Sequence, residues 1–175
     1  MTASESWQVL RAQAGDRESL DRLLRGIHGP LLGFVTRLVR DRAAAEDVVQ
    51  DSLLTIVRKL RWLESPEAFR PWAYRIAART AMKALKREQR RFSVIDRHAD
   101  LDAVEGPEPP ASDDIVDRLP GMLESVSPAS RAVLVLHYLE GLPLQAVGDI
   151  LEIPLGTVKS RLAYGLQVLR TRANA

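Results

Sequence analysis

Apolar residues recur at helical spacing along most of the chain. Between residues 17 and 39, Leu20, Leu23, Leu24, Ile27, Leu31, Phe34 and Leu38 fall on one side of a helix. Residues 42–61 repeat the pattern with Ala45, Val48, Val49, Leu53, Ile56 and Leu60. Residues 67–91 read as one long helix, with Phe69, Ala73, Ile76, Ala77, Thr80 and Ala84 on a common face. Further on, residues 128–140 carry Val133, Leu134, Leu136, Tyr138 and Leu139. Residues 144–169 bring Leu144, Val147 and Leu151 inward, then Val158, Leu162, Leu166 and Leu169. Two shorter segments complete the set. One, at 5–14, is anchored by Trp7, Val9 and Leu10; the other, at 113–125, carries Ile115, Val116, Leu119, Met122 and Leu123 across Pro120 and Gly121. With few β-branched runs, the pattern predicts an all-α protein.

The polar punctuation fits these helices. Gly15 ends the first segment and Asp16 caps the next; Asp41 caps the third helix. Ser65 before Pro66, and Ser127 before Pro128, are N-caps followed by a first-turn proline. Pro71 falls close enough to its helix start to be tolerated. Gly29-Pro30 predicts a kink or break, and His28 beside it reads as a satisfied structural histidine, because no second ligand stands at metal spacing. Gly141 closes one helix, and residues 152–156, with Pro154, form a tight turn between two others.

Net charge is only +2, but it is unevenly distributed. Residues 54–91 hold 11 Lys/Arg against 3 Asp/Glu, while residues 92–117 hold 1 Arg against 8 Asp/Glu. The acidic stretch includes Gly106-Pro107-Glu108-Pro109-Pro110 and few apolar anchors, so 92–112 reads as a flexible linker. It separates a helical domain at 1–91 from another at 113–175. There is no cysteine, hence no disulfide framework or thiolate metal site. No signal peptide or membrane-spanning run is apparent, so a cytoplasmic protein without membrane insertion is expected. No P-loop, metal cluster or nucleophile-base pattern appears, which points away from an enzyme and from any cofactor.

Three faces carry candidate chemistry. On the third helix Asp47, Gln50, Asp51 and Leu54 align at i, i+3, i+4 and i+7, either as a docking surface or as an ordinary solvated face. On the long basic helix Arg75, Arg79, Lys83, Lys86 and Arg90 form a stripe beside the apolar face, with Trp72 projecting into it. That stripe is either a solvated surface with a core tryptophan or a nucleic-acid helix, whose cations neutralise phosphates while the indole offers a surface to unpaired bases. The last helix pair has helix-turn-helix geometry. Its second helix turns Thr157, Lys159, Ser160, Ala163 and Tyr164 outward, where base edges of the major groove are read. Arg161, Arg170 and Arg172 add charge there, and no acidic side chain follows Glu152.

Three passages, AAAEDVVQDSLLTIVRKL (43–60), EAFRPWAYRIAARTAMKALKRE (67–88) and EGLPLQAVGDILEIPLGTVKSRL (140–162), closely resemble the sigma-70 superfamily of bacterial RNA polymerase initiation factors. The match is to its small two-domain extracytoplasmic-function (ECF) group. This resemblance implies that Asp47, Gln50 and Asp51 dock on the clamp coiled coil of the polymerase largest subunit, with Leu54 on the same face. It implies that residues 62–67, including Trp62 and Ser65, capture a base flipped from the −10 element. Trp72, Arg75, Arg79, Lys83 and Lys86 would then recognise and melt that element. Thr157, Lys159, Ser160, Arg161, Ala163 and Tyr164 would read the −35 element. The acidic linker would thread toward the active-site and RNA-exit path. The implied partners are core RNA polymerase (clamp and flap), promoter DNA and an anti-sigma factor. The sequence departs from the family pattern at Arg79, Lys83 and Tyr164, where Asn, Asp or Asn, and Arg are respectively common. A free-standing helix-turn-helix regulator, or a module whose basic stripe binds an acidic protein, would leave one or more of these faces without a role.

Overall fold

In a computed structural model the structure describes residues 3–39, 41–92 and 123–173. Helices α1 (Ala3–Gln13), α2 (Arg17–Val39), α3 (Arg42–Lys59) and α4 (Phe69–Phe92) are followed by α5 (Pro128–Leu134), α6 (Leu144–Leu151) and α7 (Leu155–Ala173). Two single 3-10 turns, Leu60–Trp62 and Pro66–Ala68, link α3 to α4. No strand occurs among the described residues. The chain divides into two compact units, Met1–Ala81 and Met82–Ala175. Of the expected linker at 92–112, Phe92 ends α4, and residues 93–112 and most of the expected helix at 113–125 lie outside the described residues; of that helix, Leu123–Ser125 forms a 3-10 turn with Leu123 buried.

In the first unit α2 packs on both α1 and α3. Its core stripe is Leu23, Ile27, Leu31, Phe34, Val35 and Leu38, facing Ala45, Val48, Val49 and Ile56 of α3. Asp41 caps α3 through Oδ1, accepting from the amide of Ala44 at 2.7 Å. The hydroxyl of buried Ser52 is satisfied by donating to the carbonyl of Val48 at 2.7 Å. Leu20, Leu24 and Leu53 are only half-buried.

Several expectations are corrected. Helix α2 runs through Gly29-Pro30 without a break. The carbonyl that Pro30 deprives of a partner belongs to Gly26, which is exposed and therefore open to water. Packing of the four fully buried residues beyond the proline (Leu31, Phe34, Val35, Leu38), at about 1.5–3 kcal/mol for a large apolar side chain, outweighs the ~3 kcal/mol proline penalty. His28 is exposed, so it is not a buried structural histidine. Among the described side chains of α1 only Val9 is buried; Trp7 and Leu10 are 61% and 46% exposed. Ser65 precedes a 3-10 turn rather than α4 and makes no side-chain cap.

Helix α4 is rotated from its expected setting. Its buried residues are Phe69, Ala73, Tyr74, Ala77, Ala78 and Ala81, whereas Ile76, Thr80 and Ala84 are half-buried. The core face therefore turns by about 60° toward Tyr74. Tyr74 meets Phe34 of α2 edge-on, with ring centroids 5.4 Å apart at 71°. The four alanines leave room for that close approach. The same rotation puts the cationic stripe opposite the core rather than beside it.

In the second unit Ser127 caps α5, accepting from the amide of Ser130 at 3.4 Å. Helix α5 widens into a π-helical stretch, Val135–Leu139, closed by Gly141 at φ +67°. His137 Nδ1 lies 2.8 Å from the carbonyl of Leu142, across the turn into α6. Buried Arg131 donates to the carbonyl of Val126 at 2.7 Å. Helix α7 crosses α5 closely at Gly165: a Cβ there would lie 2.8 Å from Leu134 Cδ1, in the core.

Two outcomes follow. Gly165→Ala lowers stability by roughly 1–3 kcal/mol in urea unfolding, because the added methyl would meet Leu134 at 2.8 Å (Cδ1) and 3.3 Å (Cγ) in a fully buried core. At the α1–α2 turn, the Ser19 hydroxyl donates to Asp16 Oδ2 at 2.6 Å and holds its carboxyl below the usual range, aided by Arg11 and opposed by partial desolvation. A lowered folded value means stability present above the unfolded carboxylate pKa and lost as pH falls through the folded one. An NMR titration of Ser19→Ala moves the Asp16 midpoint upward, toward that of a free carboxylate.

Candidate nucleic-acid interface

The exposed faces are set by the cores behind them. Burial of Ala45, Val48, Val49, Ser52 and Ile56 turns Asp47, Gln50 and Asp51 outward, all exposed. Leu54 continues that face at 48% exposure, and Val57, which periodicity alone does not single out, extends it at 41%. Among the described residues neither Asp47 nor Asp51 enters an ion pair. Acidic and amide groups thus frame an apolar strip that water covers.

Between α3 and α4, buried Leu60 and Leu63 pin a loop whose intervening side chain, Trp62, is 60% exposed. The Arg61 guanidinium lies 4.0 Å over the Trp62 ring, a cation–π contact that steadies the indole without hiding it. Ser65 is exposed, and its hydroxyl is not spent on a helix cap. The loop backbone is tied to α1, a link that sequence reading missed. Gln13 Nε2 donates to the carbonyls of Leu60 and Leu63 at 2.9 and 2.8 Å. Arg70 Nε donates to both carboxylate oxygens of Glu5 at 3.0 and 3.1 Å.

On α4, Arg79, Lys83 and Lys86 are exposed. Trp72 is half-buried, tilted against Phe69 at 6.3 Å, so it is neither sealed in the core nor wholly free. Arg75 is half-buried, and its Nε is buried without a hydrogen-bond partner among the described residues. The side chain of Arg90 lies outside the described residues.

The helix pair α6–α7 is joined by a left-handed residue, Glu152 at φ 56° and ψ 46°, where the next amide, of Ile153, donates to the carbonyl of Gly148 at 3.1 Å. A Cβ at Gly148 would lie 3.1 Å from the carbonyl oxygen of Ile153, which explains glycine at this position. Leu144, Val147 and Ile150 of α6 pack with Val158, Leu162, Leu166 and Leu169 of α7; Ile150 replaces the expected Leu151, which is half-buried. Helix α7 begins at Leu155, so the turn is shorter than expected. Thr157, Ser160 and Tyr164 stand on one outward ridge at i, i+3 and i+7, with Tyr164 43% exposed and Ala163 half-buried beside it. Ser160 Oγ donates to the carbonyl of Thr157 at 3.1 Å. Exposed Lys159 and half-buried Arg161 stand on the two flanks of the ridge. Small side chains in the centre and cations at the sides suit a helix that enters a groove between phosphates.

Residues 23–91 match the family Sigma-70 region 2, and residues 122–171 match Sigma-70, region 4. The chain is 30% identical over 148 residues to RNA polymerase sigma factor CarQ of Myxococcus xanthus, covering 82% of this chain and 83% of that protein. It is 27% identical over 175 residues to the ECF RNA polymerase sigma-E factor of Haemophilus influenzae, covering 94% and 92%. Its fold is similar to that of the sigma factor RpoE in complex with the anti-sigma factor NepR from Bartonella quintana, with a TM-score of 0.67, 21% identity and coverage of 89% and 96%. Two region matches in family order, and relatives aligned over most of their length, place the chain in the sigma-70 superfamily, in its extracytoplasmic-function group of RNA polymerase sigma factors that direct transcription.

Proposed function

We propose that this chain docks on core RNA polymerase through Asp47, Gln50, Asp51 and Leu54. In the same reading it opens the −10 element with Trp62, Ser65, Trp72, Arg75, Arg79, Lys83 and Lys86. It reads the −35 element with Thr157, Lys159, Ser160, Arg161, Ala163 and Tyr164. The domains at 1–91 and 113–175 divide this work, and the acidic segment between them serves as the linker that threads toward the polymerase active-site and RNA-exit path. The observation that carries the reading is the α3 face: a leucine 48% exposed among two carboxylates and an amide, a composition suited to a partner rather than to water alone.

No covalent step is required, because promoter opening of this kind is a binding equilibrium. Unstacking and unpairing a base costs a few kcal/mol. Stacking that base on an aromatic side chain returns roughly 1–3 kcal/mol, and cations on α4 neutralise the adjoining phosphates. Neither domain binds strongly alone. The polymerase holds both at fixed spacing, so engagement of one raises the effective concentration of the other. A structure of similar fold is bound to an anti-sigma factor. We infer that this chain too is held by such a regulator, one that covers the polymerase-binding face. It works in the cytoplasm, where polymerase and promoter are found. A free-standing helix-turn-helix regulator leaves the α3 face and the 62–67 loop without purpose.

Purified protein added to core polymerase directs initiation in vitro and co-purifies with the core enzyme; failure of both refutes the reading. Asp47→Lys combined with Asp51→Lys weakens core binding by about 100-fold or more with unchanged thermal unfolding, since both positions are exposed and each lost charge contact is worth several kcal/mol at a buried interface. Unchanged affinity would remove that face from the interface. Trp72→Ala reduces open complexes more than closed ones in permanganate footprinting against a binding assay. Equal loss of both would make Trp72 a packing residue.

A further inference from the structure

We propose that Gln13 is a positioning residue for the loop at 62–67, and that α1 serves as a strap holding this loop ready to receive an unpaired base. The proposal rests on the reading of that loop as the base-capturing element. It goes beyond that reading, because α1 ends before residue 23, where the region 2 match begins, and nothing in the comparisons gives it a role.

The carboxamide of Gln13 spends both N–H groups on the loop, one on each side of Trp62. The carbonyl of Leu60 accepts at 2.9 Å and that of Leu63 at 2.8 Å. The Leu63 carbonyl lies just past the end of a 3-10 turn, where no further helical amide arrives. Leu60 also accepts from the amide of Leu63 at 3.0 Å, so one turn is closed by its own backbone and by a side chain 47 residues earlier. At the far end of the loop, Arg70 forks onto Glu5, whose side chain is only 14% exposed. One helix therefore grips the loop before Trp62, after it, and at the start of α4. Between these grips Trp62 and Ser65 stay exposed. A loop pinned on both sides gives up little conformational freedom when a base arrives, so more of the stacking energy appears as binding.

A fork-junction assay with holoenzyme tests this. The probes carry the single-stranded −10 segment of a promoter mapped by transcript starts, with an abasic site at each position in turn. Where removal of a base weakens wild-type binding, that base is captured. Gln13→Glu keeps the side-chain shape but replaces both donors by acceptors facing carbonyls. It lowers affinity for the intact probe by about tenfold, the order of one stacked base, and leaves affinity for the abasic probe unchanged. Gln13→Lys, whose ammonium can donate to both carbonyls, recovers most of the loss. Should the carboxylate unfold the protein, Gln13→Met, which lacks donors and charge, is read in the same way. Equal losses on intact and abasic probes, or no loss on either, overturn the proposal. Trp62→Ala and Ser65→Ala separate it from the reading beneath. If they abolish the intact–abasic difference while Gln13→Glu does not, only the role of Gln13 falls. If they too leave that difference intact, the loop does not capture a base and both ideas fall.

Discussion

The contact on which the first unit's working surfaces depend is the edge-on meeting of Phe34 and Tyr74. A helix has only one rotational setting in which its largest buried ring finds its partner. Once Tyr74 is seated, with Ala73, Ala77, Ala78 and Ala81 admitting the neighbouring backbone, the other described side chains of α4 are assigned a direction. Arg79, Lys83 and Lys86 then point away from the core, and Trp72 is left at the boundary, packed on one side by Phe69. A bulkier residue at any of those alanines would force the helix to turn or move away, and the cations would turn with it.

The second unit reaches an equivalent result by a tighter route. Gly165 lets α7 lie against Leu134, and Gly148 lets the turn between α6 and α7 fold back on itself. Glu152 occupies the left-handed conformation that glycine usually fills, a cost of roughly 1–2 kcal/mol that the surrounding core must offset. The product is a short ridge, Thr157, Ser160 and Tyr164, whose height and angle are fixed by apolar contacts beneath it. In both units, small residues control how nearly two helices approach, and that distance controls which polar groups face outward.

The loop between α3 and α4 follows a different rule. Each of its two single turns is closed by only one or two backbone hydrogen bonds of its own. Its order comes from outside, from a side-chain amide and an ion pair on α1, and from two leucines driven into the core. The exposed indole of Trp62 is a consequence of that external support. Left to itself, such a ring would collapse onto the nearest apolar surface.

Period and punctuation in the sequence determined the helical class, the caps at Asp41 and Ser127, the stop at Gly141 and the helix-turn-helix core of Val158, Leu162, Leu166 and Leu169. These are local quantities, set by residues within a few positions of one another. They also sufficed to turn Asp47, Gln50 and Asp51 outward, because the apolar stripe of α3 is unambiguous. Only the tertiary structure decided the setting of α4. Alanines surround much of that helix, so its sequence permits several core faces, and a phenylalanine on a partner helix, Phe34 of α2, selects the one that carries Tyr74. Only the tertiary structure carried α2 through Pro30, since the packing that outweighs the proline lies on other helices. The exposure of Trp7 and Leu10 and the grip of Gln13 on Leu60 and Leu63 belong to the same class. Each joins residues distant in the chain, and periodicity, which compares a residue only with its near neighbours, contains no record of such a meeting.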